Sequence, residues 1–564
     1  MLKTSRTLPC LSLLAALGAS NSAHAQTFPL GTDAKAKCAE LAQLKIEPSK
    51  IGLPSGAGAI DSAVLVEASP VAIQERGPTP AARVTPAQPQ HCRVIGRLAP
   101  VSKDAPPIRF QVNLPAQWNG RSVQYGGGGF NGVLITGLAL PPAMPWDRPS
   151  PLAQGYVTYG TDSGHENKPN EPVQTFALND EALVNFAHAS YKKVRDAATV
   201  IMREAYGRPP QRRYFMGSSE GGREGVMMAQ RYPNDFDGIF ARVPVLNWTG
   251  LQFAGTRNGI ATMGEGWLTP AHVTLVANAT RERCDVADGA KDNLIANAPG
   301  CLKTFDPAAL VCKPGQAPDT CLNDKQVTAI KTLRSTYRFP FALAHGVREY
   351  PGFGISGEDI PASGPTGGWN AWWLGTRAPQ NPPVQGNSIA WTYGAGAVSY
   401  FYLRDPKADV TSFKIEEHKK RILEVSAMMD ATNPDLERFR ARGGKIIILE
   451  YMADYAQSPF AGIRYFESVE NRMGRERVRD FARLYVAPGV DHVGSGAPGN
   501  VDMLAVLADW VERGKPPGKL EVKEQKLEAG FPTQRALPLC RWPTWPKYNG
   551  SGDVTKAENY RCSR

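Results

Sequence analysis

Beyond residue 25 the chain has no apolar run approaching the ~20 residues that a membrane-spanning helix needs, which excludes an integral helical membrane protein. It has no block of like charge either. Lys and Arg number 64 against 53 Asp and Glu, a formal net charge of +11, but they are scattered along the chain. That describes a solvated basic surface rather than a nucleic-acid site, and one that attracts anionic substrates or the cell envelope. Cysteine is sparse, with nine in 564 residues. Hydrophobic residues make up 42%, ample for a packed core, and the length calls for several domains or one large domain with an insertion.

What is present begins with an export signal. Lys3 and Arg6 form a basic start, residues 8–17 a short apolar stretch, and Ala23-His24-Ala25 a cleavage site, so residues 1–25 are expected to be removed. The product is expected to be soluble and secreted or periplasmic. Cys10 lies in that signal, and the remaining eight cysteines are even in number, as an oxidising compartment allows. Proximity suggests Cys284–Cys301, Cys312–Cys321 and Cys540–Cys562, which leaves Cys38–Cys92; sequence alone keeps other pairings open.

The chain is organised around Gly217-Ser218-Ser219-Glu220-Gly221, a G-x-S-x-G segment. Tyr214-Phe215-Met216 before it reads as a buried strand. From Gly222 a helix is expected, with Val226, Met227, Met228 and Tyr232 as its apolar side and Pro233 as its stop. Strand, tight glycine turn and helix are the setting of a nucleophile elbow, which makes Ser219 the candidate nucleophile rather than part of a plain Gly/Ser turn. Upstream, a strand at 122–125 runs into Gly126-Gly127-Gly128-Gly129-Phe130-Asn131-Gly132. Glycines let backbone N–H groups approach a developing oxyanion, and this run stands where an α/β-hydrolase carries half of its oxyanion hole. No Gly-Lys-Ser/Thr follows, which argues against a phosphate loop. His165 precedes the nucleophile, against the hydrolase order, and is read as structural.

The strand–helix rhythm continues to about residue 245 and resumes near 431. Residues 246–430, rich in Gly, Pro and Trp, are expected to form an inserted lid between two parts of an α/β-hydrolase domain, 26–245 and 431–564. Inside the lid, Asp285, Asp288 and Asp292 crowd around a glycine turn. Three carboxylates so close repel unless solvated or bridged, and hard oxygen donors suit Ca²⁺. The spacing is not that of an EF-hand. An aromatic cluster at 369–373 is lid core by default, with Trp372 the candidate to line an aromatic pocket. After the lid, a strand at 445–450 leads to Asp454, and a strand at 483–486 leads to Pro488-Gly489-Val490-Asp491-His492. Ser219, Asp454 and His492 thus follow the hydrolase order of nucleophile, acid and base. Asp491 is the weaker acid candidate, since a residue can rarely orient its own neighbour's imidazole.

With these residues placed, the chain resembles the tannase/feruloyl esterase family over nearly all of its mature length. The resemblance rests on Trp118-Asn119-Gly120, residues 126–132, Thr161-Asp162-Ser163-Gly164-His165, residues 217–225, Cys284-Asp285 onward, Trp372-Trp373-Leu374-Gly375, residues 488–492 and Gly550-Ser551-Gly552-Asp553. It implies the triad Ser219, His492, Asp454, and an oxyanion hole from the N–H groups of Glu220 and Gly129. It implies a lid calcium on Asp285, Asp288 and Asp292 with the carbonyls of Ala290 and Leu294, and it supports the four disulfides. Two departures stand out. The family's cysteine pair beneath the triad is replaced by Ser218 and Val493, from which a looser His492 loop is expected. The lid arginine that binds a terephthalate carboxylate in the family would fall at or near Gly386, with Arg377 close by as a substitute. The implied activity is a serine esterase acting on small aromatic carboxylic esters of feruloyl, galloyl or terephthaloyl type. The rival from another class is a non-catalytic, calcium-stabilised envelope binding protein on the same fold. Oligomeric state is not legible.

Overall fold

The computed structural model describes residues 27–69, 86–359 and 368–564. The export signal therefore lies outside the described residues. A twelve-stranded sheet runs through the molecule. In chain order its strands are β1 (Lys45–Ile46), β2 (Gly58–Val66), β3 (His91–Leu98), β4 (Ile108–Pro115), β5 (Arg121–Tyr125), β6 (Val157–Thr161), β7 (Arg212–Ser218), β8 (Gly238–Arg242), β9 (Lys445–Tyr451), β10 (Ala482–Ala487), β11 (Leu520–Gln525) and β12 (Thr533–Arg541). Their spatial order is β11-β12-β10-β9-β8-β7-β5-β6-β4-β3-β2-β1.

The middle of the sheet, from β10 to β6, is parallel. Such strands are covered on both faces and read as continuous apolar runs, as Ile446, Ile447, Ile448 and Leu449 do in β9, all buried. The flanks are antiparallel on both sides. Helix α1 (Glu220–Arg231) follows β7 directly. Between β8 and β9 no described residue joins the main sheet; that stretch carries α2 (Trp248–Ala261), α3 (Ile389–Gly396) and a two-stranded ribbon pairing Tyr337 with Tyr350. Its core of Trp248, Phe253, Trp391 and Phe401 is continuous with Phe130 of the glycine run and Phe186. On the other side of the sheet, α4 (Met503–Arg513) buries Met503, Leu504, Leu507 and Trp510 against β7, β8 and β9.

This is the α/β-hydrolase arrangement. The carboxyl ends of β5, β7, β8, β9 and β10 deliver the glycine run, Ser219, Arg242, Asp454 and His492 to one edge, where open α/β sheets place their sites. All four suggested cysteine pairs are bonded: Cys38–Cys92, Cys284–Cys301, Cys312–Cys321 and Cys540–Cys562.

Candidate active site

Ser219 sits in the turn between β7 and α1 with φ 60° and ψ −123°, a conformation that costs a non-glycine residue about 1–3 kcal/mol. The turn is possible because Gly217 and Gly221, two residues to either side, lack side chains. A Cβ on Gly217 would lie 2.0 Å from the Gly221 carbonyl oxygen, and one on Gly221 would lie 2.7 Å from the Gly127 oxygen. Those two glycines bring the elbow and the glycine run into backbone contact.

His492 and Asp454 meet Ser219 from β10 and β9. Asp454 Oδ2 lies 2.7 Å from His492 Nδ1, and His492 Nε2 lies 2.9 Å from Ser219 Oγ. With the carboxylate accepting, Nδ1 carries the ring proton and Nε2 is left to accept from the serine hydroxyl. Asp454 is buried and oriented by the N–H groups of Ala456 (2.7 Å) and Gln457 (3.0 Å). Behind it, Gln457 Nε2 donates to Glu450 Oε2 at 2.9 Å. Burial, then the charge of Asp454, holds the Glu450 carboxyl well above the usual range, so it stays neutral beside the aspartate.

Asp491, the weaker acid candidate, has another job. Its buried Oδ1 accepts the N–H groups of Val493, Gly494 and Ser495 at 3.1, 2.9 and 2.7 Å, and so shapes the loop that presents His492. These three bonds hold the loop at the place where the resemblance leads one to expect a cystine. At the position before Ser219, Ser218 Oγ accepts from Arg242 Nε at 2.9 Å.

The glycine run is fixed from below by Glu224 of α1, a residue the sequence reading did not single out. Its buried carboxylate accepts the Gly127 N–H at 2.9 Å, the Asn131 amide and the Tyr191 hydroxyl. Gly129 has φ +59°, and among the described residues no acceptor takes its N–H, which leaves that group free for a ligand. Glu220, whose N–H opens α1, has its side chain withdrawn into a fully buried ion pair with Arg223, which also donates to the carbonyls of Ala187, Met429 and Phe186. His165 is buried, stacked on Phe176 and bonded to the Phe130 carbonyl; desolvation lowers it to about 4. It is a neutral support for the glycine run.

Aromatic rings cluster beside His492. Trp372 lies 6.0 Å from the His492 ring, 5.9 Å from Tyr393 and 6.0 Å from Tyr455. Trp373, by contrast, is core, packed on Phe353. Arg377 is exposed and lies across Gly386, whose Cβ would come 3.2 Å from its Nε.

The acidic loop is a separate place. Asp285 Oδ1 accepts from Asp292 N and Leu294 N, Asp288 from Ala290 N and Ala296 N, and Asp292 Oδ2 meets Arg535 and the Tyr560 hydroxyl. Among the described residues no three acidic, imidazole or thiol side chains form a metal cage. The donor chemistry nevertheless fits a hard divalent cation. Three carboxylates face one guanidinium, and two negative charges remain.

The family model for "Tannase and feruloyl esterase" matches residues 92–563. The chain belongs to this family. An uncharacterized esterase of Agrobacterium fabrum is 36% identical over 556 residues, covering 95% of this chain and 94% of its own. The mono(2-hydroxyethyl) terephthalate hydrolase of Piscinibacter sakaiensis is 32% identical over 540 residues, covering 86% and 87%. Feruloyl esterase B of Aspergillus oryzae, at 22% identity, shares the fold with a TM-score of 0.75 over 94% of this chain and 100% of that one. Membership of a family of named esterases makes the protein a carboxylic ester hydrolase and removes the non-catalytic binding protein as a rival.

Proposed function

We propose that the protein is an exported serine esterase that hydrolyses aromatic carboxylic esters through an acyl-enzyme. The observation that carries this is the unbroken hydrogen-bond chain from Asp454 through His492 to Ser219. In this reading Ser219 Oγ attacks the ester carbonyl while His492 Nε2 takes its proton. Asp454 stabilises the imidazolium, and the same proton then goes to the leaving alcohol. Water, deprotonated by His492, releases the acid. The N–H groups of Glu220 and Gly129 hold the oxyanion, each worth about 3–4 kcal/mol in comparable sites.

The aromatic acid is assigned to the wall formed by Trp372 and Tyr455, in keeping with relatives named for feruloyl and terephthalate esters. Arg377, exposed and without an ion pair among the described residues, is the proposed contact for an anionic substituent on that acid. Export rests on the leader at residues 1–25 and on four disulfides, which persist in oxidising compartments. Calcium belongs to the same proposal: Asp285, Asp288 and Asp292, with the carbonyls of Ala290 and Leu294, would hold it as a structural ion that neutralises the acidic loop.

A fluorophosphonate reacts only with an activated serine. Peptide mapping after treatment is expected to find the label on Ser219. Absence of label from folded protein would contradict the mechanism.

A further inference from the structure

The hydroxyl of Tyr393 stands beside the glycine run with no hydrogen-bond partner among the described residues. Tyr393 lies on α3, packed against the glycine run. Its ring packs edge-on against Phe130 with centroids 4.8 Å apart and against Trp372 at 5.9 Å, and Trp372 in turn covers His492. This places the hydroxyl over Gly129: a Cβ built there would lie 2.9 Å from it, and it is the nearest atom such a Cβ would meet. The glycine is therefore required twice, by its positive φ and by the phenol above it.

Among the described residues no donor or acceptor is bonded to that hydroxyl, although burial pushes the phenol up to about 12 and so keeps it protonated at any working pH. Tyr393 is half-buried and its hydroxyl is not sealed among protein atoms, so a ligand can reach it.

We propose that Tyr393 donates its O–H to the substrate carbonyl oxygen as that oxygen becomes an oxyanion, a third donor beside the N–H groups of Gly129 and Glu220. The geometry favours this over recognition of the acyl ring, because the nearest backbone to the hydroxyl is Gly129 of the glycine run. No bond is made or broken at Tyr393; its proton stays on the phenol and the hydrogen bond strengthens as charge develops. The inference rests on the serine-esterase reading above.

Tyr393→Phe removes one oxygen and leaves the packing on Phe130 and Trp372. Because that oxygen has no protein partner, the melting temperature is expected to stay unchanged. Loss of a donor that acts in the transition state is expected to lower kcat about 10- to 100-fold with little change in KM. The loss should be equal for p-nitrophenyl acetate and for methyl ferulate, since the oxyanion is common to both. An unchanged kcat, a change in KM alone, or a loss confined to methyl ferulate would each overturn the proposal. Failure of the underlying reading is distinguishable, because wild-type Ser219 would then take no fluorophosphonate.

Discussion

Arg242 Nε donates to Ser218 Oγ at 2.9 Å, so the strand beside the elbow grips the residue just before the nucleophile. The Arg242 carbonyl also accepts the Ser219 N–H at 3.0 Å. Its Nη1 would come 3.1 Å from a Cβ on Gly494, two residues past His492. The guanidinium stands 5.4 Å from the centroid of the Tyr451 ring, whose hydroxyl donates to the Gly499 carbonyl at 2.9 Å. Where the resemblance leads one to expect a cystine between positions 218 and 493, one arginine contacts both the elbow and the histidine loop.

Removing that grip should disturb both halves of the triad. A hydrogen bond from a charged group is worth about 1.5–3 kcal/mol. Arg242→Met is expected to lower the melting temperature and to reduce kcat roughly 10-fold at nearly constant KM; Ser218→Ala should do less of both. Thermal unfolding and steady-state kinetics on p-nitrophenyl acetate check this. Wild-type kcat in Arg242→Met would show that Asp491 alone holds the loop.

Glu224 carries the oxyanion loop. Glu224→Ala takes the carboxylate from the half-buried Gly127 N–H and leaves the Asn131 amide only the Tyr191 hydroxyl as acceptor. A displaced loop loses its donor in the transition state, so kcat is expected to fall about 10²-fold with KM little changed. A rise in KM at constant kcat would contradict that role.

The three residues of the proposed triad were legible because each stands at a local signal: Ser219 in its glycine turn, Asp454 and His492 just past strands with apolar runs. The strands at 122–125, 445–450 and 483–486 were legible for the same reason; their order across the sheet was not read from the sequence. The supports were not. Glu224 meets Asn131, Arg242 meets Gly494 and Tyr393 meets Gly129 only after folding, across long loops that no periodicity reports. Arg223 and Glu224 do stand inside the quoted stretch 217–225, but nothing in that spacing says which of them is turned toward the glycine run. Asp491 could be discounted as the acid, yet its capping of three N–H groups needed coordinates.

Asp162 gives a pH dependence with a definite sign. Burial raises its carboxyl to about 7, against the backbone N–H bonds from Gly164 and Arg109. The folded state thus holds this proton more tightly than the unfolded chain, whose carboxyl titrates near ~3.9. The contribution of Asp162 to stability is fully present below pH ~4 and declines as pH rises to about 7. Asp162→Asn lacks the ionising group. The difference in unfolding free energy, variant minus wild type, should therefore grow between pH 4 and 7; a constant difference would contradict the burial argument.

Calcium added to chelator-treated protein should raise the unfolding midpoint, since a ligand at 100 times its Kd adds about 2.7 kcal/mol. Asp288→Asn should reduce the response. A midpoint indifferent to calcium would mean that Arg535 and the backbone N–H groups neutralise the loop unaided.

The central claim is that Ser219 performs aromatic ester hydrolysis. The most direct measurement is kcat/KM for wild type and Ser219→Ala on methyl ferulate, methyl gallate, mono(2-hydroxyethyl) terephthalate and p-nitrophenyl acetate. The account predicts that wild type prefers one of the aromatic acids over the acetate. It also predicts that the variant, folded as wild type by its melting temperature, loses at least ~10⁴-fold on all four. Hydrolysis by Ser219→Ala at wild-type rates, or a wild type active on the acetate alone, would contradict it.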